Sequence, residues 1–220
     1  MRRMKMMVPA ITIGVISIVG LVVAGVGVVS GQTSQAEKYV PSYTADGKLN
    51  FPAGYREWVY LTSGVDMSYG PASNMGKSMF DNVFVNSEAY KSFLETSTWP
   101  DKTVMVLEVR AAGSKGSINK NGHFQTEELR GREVHIKDES KFPGKWAFFS
   151  FNSEGPGELF PKEAACYSCH EEHGAVDTTF VQFYPTLLPI AKAKKTLSAT
   201  YLNEEAVSGA EKKEEKAEKK

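Results

Sequence analysis

Cys166-Tyr167-Ser168-Cys169-His170 concentrates more chemistry than any other stretch of the chain. Two thiols separated by two residues and followed at once by an imidazole form the attachment signature of a c-type haem. The thiols add across the two vinyl groups, the spacer lets both reach one porphyrin edge, and His170 binds the iron from the proximal side. The chain has 2 cysteines, so none is left over for a structural disulfide. A Cys-x-x-Cys pair also serves as a redox disulfide or as half of a zinc site. The redox use calls for a βαβ pattern before the motif, and none is evident. A zinc set of Cys166, Cys169, His170 and His173 would crowd its ligands into one short run, without the wide separation of zinc modules. One covalent haem c is therefore the expected cofactor.

The N-terminus agrees with that address. Met1-Arg2-Arg3-Met4-Lys5 is followed by an uncharged run over residues 6–29. A basic n-region before an apolar stretch is an export signal, although cleavable signals usually carry only about 7–15 apolar residues. At about 1.5 Å per residue the run would span roughly 36 Å as a helix, enough to cross a bilayer. Small residues at Val29-Ser30-Gly31 and Ser34-Gln35-Ala36 suit a signal peptidase. Residues 1–31 are thus expected to be either a cleaved signal peptide or an N-terminal membrane anchor. The rest is expected in the periplasm, either secreted or held at the inner membrane by residues 6–29.

One haem domain is expected over residues 39–195. The charged stretch over residues 203–220 cannot join a core and is expected to be a solvated, disordered tail. With 26 basic and 26 acidic residues the formal net charge is zero, so no global field recruits nucleic acid. Short runs rich in β-branched and aromatic residues predict strands at 55–62, 82–85, 103–110, 133–137 and 145–151. Turn-like inserts at 113–122 and 142–144 separate consecutive strands, and few crossover helices are available. The expected fold is α+β, a small antiparallel sheet with packed helices. Helices are predicted at 87–95 with Ser87 as N-cap, over the haem motif, and at 186–197.

Tyr55-Arg56-Glu57-Trp58-Val59, Trp146-Ala147-Phe148-Phe149, the haem motif and Phe183-Tyr184-Pro185 occur in that order. In this the chain resembles cytochrome P-460 and its relative cytochrome c′-beta over residues 51–193. The resemblance implies one haem on a small antiparallel sheet, a proximal histidine, an open distal side and a homodimer. It also implies a division at one position. The P-460 enzymes carry a lysine, in a strand resembling Thr-Val-x-Val-Lys-Glu, that is covalently joined to the haem and accompanies hydroxylamine oxidation. Here the strand reads Thr103-Val104-Met105-Val106-Leu107-Glu108, and leucine has no nucleophilic atom. Lys102 has the opposite strand parity to Leu107, and Lys115 falls in the turn-like insert. The resemblance therefore shifts toward cytochrome c′-beta, whose apolar distal face binds neutral gases such as nitric oxide or carbon monoxide.

If Leu107 faces the iron, strand alternation sets Met105 and Val109 on the same side. Family position adds Phe80 and Phe160 as distal candidates. His173 follows His170 by three residues and projects from the same helix face. His123, in a turn, and His135, in a strand, are each a sixth-ligand candidate or an ordinary surface or half-buried side chain. Arg56, Arg110, Arg130 and Arg132 are candidate partners for the haem propionates. Three functions follow. The chain binds or detoxifies small gases at a five-coordinate iron; or it oxidises hydroxylamine or nitric oxide; or it carries electrons to a redox partner protein, with Met105 or a histidine as sixth ligand.

Overall fold

Alternating β-branched and aromatic residues build one antiparallel sheet in the order β1-β2-β3-β4-β5-β6. Its strands are β1 (Val59–Val65), β2 (Met79–Val85), β3 (Val104–Gly113), β4 (Phe124–Lys137), β5 (Trp146–Ser150) and β6 (Glu158–Leu159). Among the described residues four α-helices complete the α+β fold: α1 (Ser87–Thr96), α2 (Ala165–His173), α3 (Leu188–Lys194) and α4 (Ala199–Glu218). The computed structural model describes residues 38–67, 78–151 and 155–218. The expected signal or anchor at 1–31 lies outside the described residues. Among the described residues, no helix is long and apolar enough to cross a membrane.

Both faces of the sheet are covered, which explains why Thr103 to Leu107 is nearly continuous in apolar residues rather than alternating. On one face Val104, Val106, Val134, Ile136, Ala147 and Phe149 pack against Leu49, Tyr55 and Phe151. On the other, Leu61, Val85, Met105 and Trp146 meet Phe93 of α1, Val176, Val181 and Tyr184 of the loop after α2, Ala191 of α3 and Tyr201 of α4. This second face carries the haem motif.

Several element boundaries differ from expectation for local reasons. Asn86, not Ser87, is the N-cap of α1. Its side-chain oxygen accepts instead from the Val104 N–H at 2.8 Å, tying the helix start to β3. β4 begins at Phe124 rather than at residue 133, because its charged first half forms an exposed ribbon with the end of β3. α3 stops at Lys195, which takes a left-handed φ of 59°. Where charge predicts a tail over 203–220, the chain is helical to Glu218. Alanine, glutamate and lysine are strong helix formers. The Ser198 hydroxyl caps this helix by accepting from the Tyr201 N–H at 3.2 Å, and Tyr201 is buried in the core.

Candidate haem site

A cavity of about 360 Å³ lies between the second sheet face and α2, a size typical of sites for small ligands and cofactors. Cys166, Cys169 and His170 line it from α2, and Phe180, Phe183 and Tyr184 from the following loop. Across from them stand Val83 of β2, Met105 and Leu107 of β3, His135 of β4 and Phe148 of β5. The haem motif and the strand carrying Leu107 thus face one space.

Within α2, the His170 ring packs against Phe148 and Phe180, with ring centroids 4.7 and 4.2 Å away. Its Nδ1 lies 2.8 Å from the Thr178 carbonyl oxygen. A ring that donates from Nδ1 to a carbonyl keeps its lone pair on Nε2, the tautomer an iron ligand requires. Burial pushes the His170 pKa down to about 4 against the pull of that carbonyl, so the ring is neutral near pH 7. Gly174 permits this approach: a Cβ there would stand 2.5 Å from the His170 carbonyl oxygen and 2.8 Å from the Thr178 carbonyl carbon.

Both cysteines are free thiols, and burial raises the pKa of each. Reactive redox cysteines show the opposite shift. His173 does not complete a zinc set, because its Nδ1 pairs with Glu204 of α4 at 2.5 Å. Among the described residues no group of three or more His, Cys, Asp or Glu side chains is arranged to hold a metal ion. Two free thiols and one neutral imidazole converging on one cavity fit a haem attached by thioether bonds and ligated by nitrogen.

Several expected residues fall elsewhere. Leu107 and Met105 line the cavity, but Val109 does not. Phe80 and Phe160 do not line it either. Phe80 alternates with Asp81 and Val83, which face the cavity, so its side chain turns to the opposite face of β2. Phe160 pairs through its backbone N–H with Phe148, and it is Phe148 that enters the site. Of the arginines expected near propionates, Arg56 and Arg110 lie on the far face, where both pair with buried Glu108. Arg132 lies over the Phe51 ring at 4.1 Å, and Arg130 pairs with Glu128. His123 is exposed.

His135 is buried in the site. Its ring stacks on Phe148 with centroids 4.0 Å apart and touches His170 edge-on at 4.8 Å. That contact leaves no room for a porphyrin between the two imidazoles, so they are not an opposed pair of axial ligands. His135 Nε2 is buried with no hydrogen-bond partner among the described residues. Burial, then the neighbouring His170, hold its pKa well below the usual histidine range.

The cavity is also less apolar than the resemblance implies, because Asp81 and Glu133 line it. Burial raises both pKa values; the charge of Asp66 adds to the rise at Asp81, and the charge of Asp81 to that at Glu133. A carboxyl raised in the folded state favours folding below its unfolded pKa, and that contribution is lost as pH rises through the folded value. Asp81→Asn is therefore expected to raise the urea midpoint at pH 7. The gain should disappear below about pH 4, where the unfolded carboxyl also binds its proton. A midpoint unchanged at pH 7 would refute the assignment. No sequence signal marked Asp81 or Glu133, since both become visible only once the register sets Glu133 opposite Leu107 and Asp81 opposite Val109.

A family model described as cytochrome P460 matches residues 52–181. The chain belongs to the cytochrome P460 family. No curated protein matches it. Family membership makes this a haem protein of the c type. In this cytochrome P460 family member the matched region runs from the segment before β1 to Val181, so it includes the sheet, the motif and the Thr178 carbonyl that meets His170.

Proposed function

We propose that this chain is a mono-haem cytochrome that binds or detoxifies small gases such as nitric oxide. The observation that carries the proposal is Leu107 on the wall of the cavity that holds Cys166, Cys169 and His170. At that position the resemblance puts the lysine that cross-links the haem, and leucine cannot form the bond. In this reading Cys166 and Cys169 hold the porphyrin, His170 Nε2 binds the iron, and Leu107, Val83 and Met105 give the cavity apolar walls. Bound there, haem supplies an iron that takes up diatomic gases and exchanges electrons. The expected address is the periplasm, with a homodimer as the working form and a redox partner protein to reset the iron.

Asp81 and Glu133 favour a second reading. Oxidation of hydroxylamine releases protons, and carboxyls with raised pKa values lining the cavity are suited to accept them. Absorption spectra of ferric and ferrous protein, with and without nitric oxide, separate these functions from plain electron transfer. The expected result is a five-coordinate high-spin ferrous iron that binds nitric oxide, with little hydroxylamine turnover. Turnover at about 1 per second or faster, lost in Asp81→Asn or Glu133→Gln, would instead establish the oxidase. A low-spin spectrum indifferent to nitric oxide would establish the electron carrier.

A further inference from the structure

The carbonyl that meets His170 belongs to a tight turn whose backbone is costly to maintain. Val176 and Thr179 bond each other's backbone, N–H to carbonyl, at 3.3 and 2.9 Å. The two residues between them, Asp177 and Thr178, both have positive φ, 48° and 60°. Positive φ at both central residues marks a type I′ turn, which strongly favours Asn-Gly or Asp-Gly. A β-branched residue in the second position is an outlier that persists only when its surroundings enforce it.

The enforcing groups come from the ends of the sheet. Lys137 at the end of β4 donates from Nζ to Asp177 Oδ2 at 2.6 Å and to the Trp99 carbonyl at 2.7 Å. Its side chain is only 8% exposed, so an ammonium has been withdrawn from water to make these bonds. Trp146 Nε1 donates to Asp177 Oδ1 at 3.3 Å. Trp99 Nε1 donates to the Thr179 hydroxyl at 2.8 Å, and that hydroxyl donates to the Val176 carbonyl at 2.7 Å. Apart from the Lys137–Trp99 bond, each of these ends on the turn itself, and the turn presents one carbonyl to His170 Nδ1.

We propose that Lys137 and Asp177 are positioning residues for the proximal histidine: their ion pair clamps the strained turn so that the Thr178 carbonyl fixes the orientation and basicity of His170. The proposal rests on His170 being the iron ligand. A carbonyl accepting from the far nitrogen of a ligating imidazole locks its tautomer and strengthens it as a donor, and loss of such a partner typically weakens ligation about 10–100-fold.

The test is resonance Raman spectroscopy of the ferrous haem-loaded protein, reading the iron–histidine stretching band. Asp177→Asn keeps an acceptor for Trp146 and a residue tolerant of positive φ, but removes the charge that engages Lys137. It is expected to move the band to lower frequency, and the fraction of protein with His170 detached should rise about tenfold. Lys137→Met should do the same. Combining Asp177→Asn with Thr178→Gly creates the pair that holds a type I′ turn unaided, and is expected to restore the wild-type band without the ion pair. An unshifted band in Asp177→Asn would overturn the clamp. A shift that the double variant fails to reverse would assign the effect to lost charge rather than to position, and would overturn it too. Absence of any iron–histidine band in the wild type would sink the ligand assignment instead.

Discussion

Alanine at both Cys166 and Cys169 is expected to abolish covalent haem. Protein matured with the periplasmic attachment machinery should carry one added haem mass that survives acid-acetone extraction, whereas the double variant should lose all of it. Each thiol lines the same cavity and neither is engaged in a disulfide, so both are available for thioether bonds. Single variants should weaken attachment without eliminating it. His170→Ala separates the roles, since it removes the nitrogen donor and leaves both thioether bonds in place. Its expected signature is haem that still resists extraction but has altered ferric and ferrous spectra. If those spectra are unchanged, another group is the ligand, and the structure nominates His135, whose ring touches that of His170. Haem that extracts freely from the wild type would dismiss the attachment altogether.

The second large effect is expected far from the haem. Glu108 is 1% exposed and accepts from Tyr55, Arg56 and Arg110 on the sheet face opposite the cavity. Burial alone would raise its pKa, but hydrogen bonds from Arg110 and Tyr55 and the charge of Arg56 outweigh burial and leave it below the usual range. Glu108→Ala strands the buried Tyr55 phenol and takes the carboxylate from Arg56 and Arg110, of which Arg110 keeps the Glu127 carbonyl at 3.0 Å; breaking a buried pair typically costs about 3–5 kcal/mol. Because the Arg56 side chain is 53% exposed and water compensates it in part, the lower end of that range is expected. A carboxylate with a depressed pKa adds stability above its unfolded pKa, about 4.3, and loses it as pH falls through the folded value. The urea midpoint should therefore drop sharply in the variant at pH 7, and the gap from wild type should narrow on acidification. An equal gap at every pH would mean that packing, not charge, is what the variant loses.

The haem motif was legible because its donors sit within five consecutive residues, so no folding step is needed to see them together. Strands β1, β3 and β5 were legible because β-branched and aromatic side chains suit a pleated, buried surface. Leu107 on the cavity wall followed from the resemblance, and strand alternation from it holds for Met105 but not for Val109. What stayed hidden depends on register or on length. The expected Phe80 and Phe160 give way to Phe148, Phe180 and Phe183: the face of Phe80 and Phe148 is fixed by cross-strand pairing that the local sequence does not encode, and Phe180 and Phe183 reach the cavity from the segment after α2. His135 reads from the sequence only as one of two alternatives, a sixth ligand or an ordinary side chain, and its packing against Phe148 and His170 appears only once β5 and α2 close over it. The first half of β4 carries charge on an exposed ribbon and gives no hydrophobic period to detect. α4 was masked by charge, although the same residues favour helix.

The strictly sequential order of the sheet bears on how the holoprotein is made. Each strand pairs with its neighbour in the chain, so no pairing of the meander waits for a strand that lies further along the sequence. All of its strands precede Cys166, which means that a chain emerging N-terminus first completes the wall of the site before its haem-binding segment arrives. If Cys166 and Cys169 take the haem as proposed, maturation is then a late capping event, in which docking of the loaded helix, followed by α4, shuts the last side of the site. Slowing the exit of the final sixty or so residues should therefore delay haem capture while leaving the sheet assembled.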